Sequence, residues 1–277
     1  MKKSALLGLL LIPILLLSCS KTEMIYAPIE VDDRVDAEPI SGLFQKNMLI
    51  EDYTGTWCGN CTRVSEAIER VKEQTDRSVT IAIHNGLDPY HFAAIGPLQD
   101  LVSPGRDLEL PISRLNRTIV WTSPEPDHVQ QAVNLTSNNC GLGLAMKSIV
   151  ADGNIELDVN IKFAQNYENV KLVVCLLENH LLYRQTNYFS AYGPVPYIQG
   201  FEHNHVLRAS LTPLLGEGLS GTNFNQTVSK RFSVPVPANV SNLENISFVA
   251  FVVDSNNTVI NVREAEINQE QVFEQNP

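Results

Sequence analysis

The chain has 277 residues, 44% of them apolar and 18% charged, with no long low-complexity tract. This composition is typical of a globular protein and excludes a disordered or fibrous chain, while the length accommodates two domains. The net charge of −11 argues against the clustered basic surface that nucleic acid binding needs, so we expect no nucleic acid partner.

The N-terminus has the pattern of an export signal. Lys2 and Lys3 precede an apolar run that is too short to span a bilayer and that ends at Ser18-Cys19. We therefore predict a signal peptide over residues 1–18. Leu16-Leu17-Ser18-Cys19 resembles a lipobox, which predicts that lipid is attached to Cys19 and anchors the chain in a membrane. A plain signal peptide followed by a chance cysteine is the alternative.

Residues 19–44 are polar and acidic, contain Pro28 and Pro39, and show no hydrophobic periodicity. A segment of this kind has too little apolar surface to build a core of its own. We expect it to be a tether between the lipid anchor and the folded part of the chain.

Residues 45–139 alternate between strand and helix patterns. A strand is predicted over 48–53, Gly55 ends it, and an amphipathic helix is predicted over 58–75. The elements expected after it are a strand at 79–84, a short helical insertion at 89–102, one or two strands within 112–121, and a closing helix at 125–135 with Ser123 as N-cap and Pro124 in its first position. Strands that alternate with helices indicate an α/β domain.

Residues 140–277 contain short apolar or alternating runs and no convincing helix. The runs that predict strands are 142–150, 155–163, 171–177, 206–211, 227–234, 247–253 and 258–267. Asp152-Gly153-Asn154 and Asp254-Ser255-Asn256-Asn257 are typical of hairpin turns between such strands. We predict an antiparallel, immunoglobulin-like β-sandwich for this second domain.

The motif Trp57-Cys58-Gly59-Asn60-Cys61 lies where the first strand of the α/β domain ends and its helix begins. Backbone N–H groups at a helix start favour the thiolate, so Cys58 is predicted to be the attacking sulfur. Cys61 comes round to the same side three residues later and is predicted to be the resolving thiol. The two cysteines are expected to form a reversible disulfide.

Two other interpretations of the cysteine pair stay open. A structural zinc site would need two further ligands, and His203 and His205 are the only compact histidine pair. A purely structural disulfide would stabilise little across so short a loop. We predict no metal site and no organic cofactor.

Two further residues are candidates for the same site. Asp52 lies on the strand before the motif, where a thioredoxin-type domain often places a buried acid that takes a proton from the resolving cysteine. The alternative is that it ends an exposed strand. Pro111 lies where such domains keep a cis proline facing the dithiol, and an ordinary trans proline is the alternative. With Trp57, Cys58 and Cys61, these residues complete the predicted catalytic set.

These residues resemble a known family. Thr54-Gly55-Thr56 before the motif, Pro111 with Asn116-Arg117, and His203-Asn204-His205-Val206-Leu207-Arg208 are similar to the outer-membrane-protein-28-related lipoproteins. The resemblance implies a thioredoxin-like domain, a β-sandwich and a lipid anchor in the outer membrane, facing the periplasm or the cell surface. Asn60, where proline is usual, and Ile112, where threonine commonly follows the cis proline, depart from ordinary thioredoxins.

Residues outside the motif have more ordinary interpretations. Cys175 lies in an apolar run and is predicted to be an inert core thiol, with a disulfide to Cys140 as the alternative. His203, Asn204, His205 and Arg208 are predicted to pack in a loop at the domain interface, with a metal or ligand site as the alternative.

The sequence therefore supports two functions. The first is thiol-disulfide exchange with protein thiols or disulfides of the cell envelope, carried out by Cys58 and Cys61. The second is a surface binding or adhesion lipoprotein in which the dithiol domain is only structural.

Overall fold

A computed structural model describes residues 30–32 and 43–276 of the chain. The predicted signal peptide, Cys19 and most of the predicted tether lie outside the described residues. Within the tether segment, β1 (Glu30–Asp32) is a short strand that pairs antiparallel with β15 (Thr227–Pro235). No helix in the described ranges combines the length and the hydropathy needed to cross a membrane.

The first part of the chain follows the predicted alternation of strands and helices. Its elements are β2 (Phe44–Lys46), β3 (Met48–Thr54), α1 (Thr62–Lys72), β4 (Ser78–His84), α2 (Gly96–Val102), β5 (Ile112–Leu115), β6 (Ile119–Val120) and α3 (Val129–Val133). The helical insertion is confirmed in its second half, as α2, and the strand segment at 112–121 divides into β5 and β6.

The predicted closing helix is wrong as a single element. A short 3-10 helix, Glu125–Asp127, precedes α3, and His128 between them has a non-helical backbone. The peptide between Ser123 and Pro124 is cis, and Pro124 rather than Ser123 occupies the N-cap, in an extended conformation. The predicted helix is therefore interrupted at His128, and neither piece has a side-chain cap.

All seven strands predicted in the second part of the chain are present. The elements are β7 (Ser137–Cys140), β8 (Leu142–Ala151), β9 (Asn154–Phe163), β10 (Lys171–Glu178), β11 (Leu181–Thr186), β12 (Tyr197–His203), β13 (Val206–Ser210), β14 (Glu217–Gly218), β15, β16 (Ile246–Val253) and β17 (Val259–Glu266). The sequence patterns missed β7, β14 and the β11–β12 hairpin.

Both predicted turns are confirmed. Asp152 and Gly153 have φ values of 52° and 75° and connect β8 to β9. Asn257, with φ of 64°, closes the turn between β16 and β17. These left-handed conformations are adopted more readily by Gly, Asn and Asp than by other residues, which is why the turns could be predicted from the sequence.

The molecule is mostly β-sheet, and two of its sheets face each other. A four-stranded sheet has the order β1-β15-β9-β8, and its inward side chains include Leu144, Phe163 and Phe232. They share one apolar core with Val174 and Phe248 of a nine-stranded sheet. This layered packing of two sheets confirms the predicted sandwich arrangement.

The nine-stranded sheet also contains the strands of the first part of the chain. Its order is β17-β16-β10-β13-β4-β3-β5-β6, with β14 added beside β10. The two halves join where β13 pairs parallel with β4 at Val206 and Ala82, and the Ala82 N–H donates to the His205 carbonyl over 2.8 Å. One sheet therefore crosses the predicted boundary at residue 140.

Helices cover both faces of β3. Met48 and Ile50 pack against α1 and α3, whereas Leu49 and Tyr53 face the core that contains Leu98 of α2. Side chains alternate along a strand, so Asp52 points toward α1 and Glu51 points toward the opposite core. Both carboxylates are buried.

Candidate functional site

The site is built around a disulfide between Cys58 and Cys61 in the loop that joins β3 to α1. The Cα atoms are 5.4 Å apart, within the usual range for a disulfide. Cys58 is 5% exposed and Cys61 is 1% exposed, so Cys61 is the deeper of the two. Their predicted roles as attacking and resolving sulfurs stay predictions.

The helix after the disulfide begins later than predicted. Two turns precede it, closed by hydrogen bonds from Cys58 N to the Gly55 carbonyl (3.0 Å) and from Cys61 N to the Cys58 carbonyl (3.2 Å). α1 then starts at Thr62 with Cys61 as its N-cap. The prediction that Cys58 begins the helix is wrong, because Cys58 and the two residues after it form turns, and the helix starts only after Cys61.

Asp52 is a buried acid, 3% exposed, on the face of β3 that packs against α1. Burial raises the pKa of its carboxyl to about 8, and the nearby Glu125 adds to the rise. Its Oδ1 atom has no hydrogen-bond partner among the described residues. The alternative that Asp52 ends an exposed strand is wrong.

Glu125 is held by two residues next to this acid. Arg63 of α1 donates to it over 2.6 Å, and the Ser113 hydroxyl donates over 3.0 Å. Ser113 also pairs in register with Asp52 across β3 and β5. The carboxylate of Glu125 is thus fixed close to Asp52, where its charge disfavours ionisation of the second acid.

Pro111 follows a cis peptide bond, Leu110-Pro111, as the sequence predicted. The next residue, Ile112, opens β5 and pairs with Tyr53 near the end of β3. Pro111 is therefore at the same edge of the sheet as the loop that carries the disulfide. Trp57, at 47% exposed, is also in this loop and donates its indole N–H to the Asn85 carbonyl over 2.8 Å.

The β11–β12 hairpin contributes residues that the sequence patterns missed. The Thr186 N–H donates to the Thr56 carbonyl over 2.9 Å, and the Tyr188 N–H donates to the Gly59 carbonyl over 2.8 Å. The end of β11 and the residues that follow it therefore run alongside the disulfide loop. Their aromatic and β-branched composition is typical of a strand, but no feature of the sequence shows what they lie against.

Two buried amide side chains fasten this segment to the loop. The Gln185 amide donates to the Cys58 carbonyl over 3.0 Å and to the Gly55 carbonyl over 3.3 Å. The Asn187 side chain accepts a hydrogen bond from the Thr62 hydroxyl over 3.0 Å. The disulfide loop is thus held by a part of the chain more than 120 residues away.

A cavity of about 280 Å³ lies between α1, β4 and the hairpin. Asp52, Thr80 and His203 line it, and each has a buried polar side-chain atom without a hydrogen-bond partner among the described residues. Burial lowers the pKa of His203 to about 3, with His84 adding to the fall, so this ring is neutral at pH 7. The carboxyl of Asp52 therefore shares this cavity with the Thr80 hydroxyl and the His203 ring.

The segment from His203 to Arg208 packs where the hairpin meets β4. The His203 ring lies 5.3 Å from the His84 ring and 5.5 Å from the Tyr90 ring, measured between centroids. Arg208 forms an ion pair with the buried Glu178 over 3.1 Å. Within residues 43–276, no group of three or more His, Cys, Asp or Glu side chains is arranged to hold a metal ion.

Cys140 and Cys175 are both buried free thiols. The alternative of a disulfide between them is wrong, and the prediction of an inert core thiol at Cys175 is confirmed. Burial raises the pKa of Cys175 to about 12, which keeps it protonated and unreactive at neutral pH.

Comparison with known proteins shows similarity to a protein family and to a solved structure. The family described as outer membrane protein Omp28 matches residues 108–271, which is more than half of the chain. The solved structure of HBP35 of Porphyromonas gingivalis is similar to this chain with a TM-score of 0.62 and 16% identity, and the similarity covers 84% of this chain and 80% of that chain. At this identity the likeness concerns the fold alone. No curated protein matches the sequence.

Proposed function

Because the chain belongs to the Omp28 family of outer membrane proteins, we propose that it is a lipoprotein of the outer membrane that exchanges its disulfide with other envelope proteins. The observation that carries this proposal is the disulfide between Cys58 and Cys61, in a loop between strand and helix, beside a helix that also covers the buried acid Asp52. A disulfide with only structural use gains little from a buried acid of raised pKa nearby.

The exchange follows the ordinary chemistry of thiols. The Cys58 thiolate attacks one sulfur of a substrate disulfide, and the other substrate sulfur leaves as a thiolate. Cys61 then attacks the mixed disulfide, which releases the second substrate thiolate and re-forms the bond between Cys58 and Cys61. Two electrons pass to the substrate, and the reverse steps oxidise a substrate dithiol. The ionised form of Asp52 takes the proton that Cys61 loses, so this step becomes faster as the pH rises toward 8.

We also propose a thioredoxin-like unit within residues 45–139. The supporting features are the parallel pair β3 and β4 joined by α1, the antiparallel strands β5 and β6, and the cis peptide before Pro111. We propose that residues 140–277 form a second unit, which is the β-sandwich. Lipid on Cys19, with 19–44 as a tether, would anchor both units in the outer membrane.

A Cys61→Ser variant tests the proposed exchange. When this variant is expressed in the native host, it should accumulate covalent adducts with envelope proteins, because the mixed disulfide at Cys58 can no longer be resolved. The adducts are measured on non-reducing gels, and they should disappear in the Cys58→Ser/Cys61→Ser double variant. Equal adduct levels in the double variant, or none in the single variant, would rule the mechanism out.

A second candidate function is a binding or adhesion lipoprotein in which the disulfide is a staple. The low exposure of Cys58 and the hairpin bonded to its loop favour this alternative. The alkylation rate of the reduced protein at pH 7 separates the two functions. A staple gives the slow rate of a buried thiol with a pKa of about 8.5 or above, whereas the exchange function requires fast alkylation at Cys58.

A further inference from the structure

We propose that Trp57 and Tyr188 form a pair of aromatic supports on either side of Cys58, which hold an extended, cysteine-bearing segment of a partner protein with an apolar residue beside its cysteine. This inference rests on the proposed exchange function and names its substrate class. Trp57 precedes Cys58 in the loop, and Tyr188 packs on Gly59, the residue after it. Trp57 is 47% exposed and Tyr188 is 71% exposed.

The Tyr188 ring is fixed although most of it is exposed. Its backbone N–H donates to the Gly59 carbonyl over 2.8 Å, and the preceding residue, Asn187, is buried and bonded to Thr62. A Cβ atom at Gly59 would overlap the Tyr188 ring, so the glycine in the cysteine motif provides the surface on which the ring rests. The position of this tyrosine is therefore set by the disulfide loop itself.

The Trp57 ring is held by the loop that follows β4 and by Gly55. Its indole N–H donates to the Asn85 carbonyl over 2.8 Å, and its ring covers the backbone at Gly55 and Gly86. A Cβ atom at Gly55 would lie 2.8 Å, and one at Gly86 2.9 Å, from the indole nitrogen. Leu87, which follows Gly86 in the chain, is 97% exposed.

The chemistry of exchange determines which kind of chain segment would contact the two rings. A substrate cysteine must approach the sulfur of Cys58 in line with the disulfide bond, so the residues next to that cysteine lie close to the loop on both sides of it. Exposed aromatic rings that are already immobilised bury apolar area at little cost in side-chain entropy. An apolar neighbour of the substrate cysteine gains from this contact, whereas oxidised glutathione, whose cysteine lies between a γ-glutamyl group and glycine, has no apolar side chain to offer.

Tyr188→Ala in the full mature protein tests the inference. The reduced protein is mixed with two peptide disulfides that differ only in having Leu or Ser beside the cysteine, and with oxidised glutathione, and second-order rate constants are measured. The variant should lose about 5- to 30-fold in rate with the Leu peptide, in line with the loss of an aromatic interface residue. Its rates with the Ser peptide and with glutathione should stay within about twofold of the wild type.

Phe224→Ala is the matched control, because Phe224 is 61% exposed and precedes β15, in a different part of the chain. It should leave all three rates unchanged. An equal loss with all three probes in Tyr188→Ala would overturn the inference, because the ring would then only support the loop. If wild-type protein reacted with none of the probes, the exchange function would fail and the inference with it.

Discussion

Asp52→Asn is expected to be more stable than the wild-type protein at pH 7. Burial raises the pKa of the Asp52 carboxyl from its ordinary value of 3.8 to about 8 in the folded protein. Between these two values the unfolded chain ionises the group and the folded chain keeps it protonated, so the folded state loses stability as the pH rises from about 4 to about 8. Asparagine carries no charge and avoids this loss.

The size of the gain follows from the same shift. At pH 7 the substitution should raise the free energy of unfolding by about 1 to 4 kcal/mol, and the difference should shrink toward zero near pH 4. Urea unfolding at several pH values measures it. Asp100→Asn, an exposed carboxylate on α2, should show no such pH dependence. A stability difference at Asp52 that is constant with pH would contradict the assignment of a buried acid with a raised pKa.

The same variant should be slower in disulfide exchange. If Asp52 takes the proton of Cys61, its replacement should lower the exchange rate on the order of 10²-fold, the usual contribution of a general base. In the wild type the rate should show an inflection near pH 8, and in Asp52→Asn that inflection should be absent. Stopped-flow measurement of exchange across the pH range tests this. Higher stability together with an unchanged rate profile would leave Asp52 without a role in exchange.

Some parts of the site could be predicted from the sequence because their signals are local. The cysteine motif, the strand before it and the proline at the start of β5 each lie within a short segment whose periodicity or residue types indicate the backbone. The sequence alone leaves the burial of Asp52 open. It follows from α1 packing over β3, which the alternation of apolar residues around an acid does not reveal.

The hairpin could not be predicted as part of the site. It bonds to the disulfide loop chiefly through backbone groups, from the N–H groups of Thr186 and Tyr188 to the carbonyls of Thr56 and Gly59. Backbone groups are present at every residue, so such contacts leave no signature in the side chains. The same reason explains why the continuous sheet was missed, since a single parallel bridge at Val206 and Ala82 joins its two halves.

Arg117→Met is expected to lower the free energy of unfolding by about 3 to 5 kcal/mol, the usual cost of removing one partner from a buried ion pair. The side chains of Arg117 and Glu51 are 2% and 1% exposed. Two guanidinium nitrogens donate to one carboxylate oxygen of Glu51 over 3.1 and 2.9 Å, and a third donates to the Leu214 carbonyl over 3.0 Å. The guanidinium also lies 4.7 Å from the centre of the Phe251 ring.

The neighbouring residue Asn116 acts together with Arg117. Both residues have a positive φ, 45° and 70°, in the turn between β5 and β6. The Asn116 side chain accepts the N–H of Leu49 over 2.9 Å, and its carbonyl accepts the N–H of Val259 over 3.2 Å. The turn therefore joins the strand that leads to the disulfide with strands from the second half of the chain.

A matched exposed pair separates the effect of burial from that of charge. Arg231 also donates from two nitrogens, one to each carboxylate oxygen of Asp158, but its side chain is 55% exposed, so Arg231→Met should cost less than about 1 kcal/mol. The double variant Glu51→Gln/Arg117→Met should recover part of the loss, because no buried carboxylate is left without a partner. The urea midpoint of Arg117→Met should be lower than that of the wild type even when the disulfide is intact in both proteins, because the substitution weakens the packing of β3 and leaves the disulfide bond unchanged. If Arg117→Met and Arg231→Met lowered the free energy of unfolding equally, the expectation would be contradicted. Water would then reach Glu51, and the buried pair would contribute no more to stability than an exposed one.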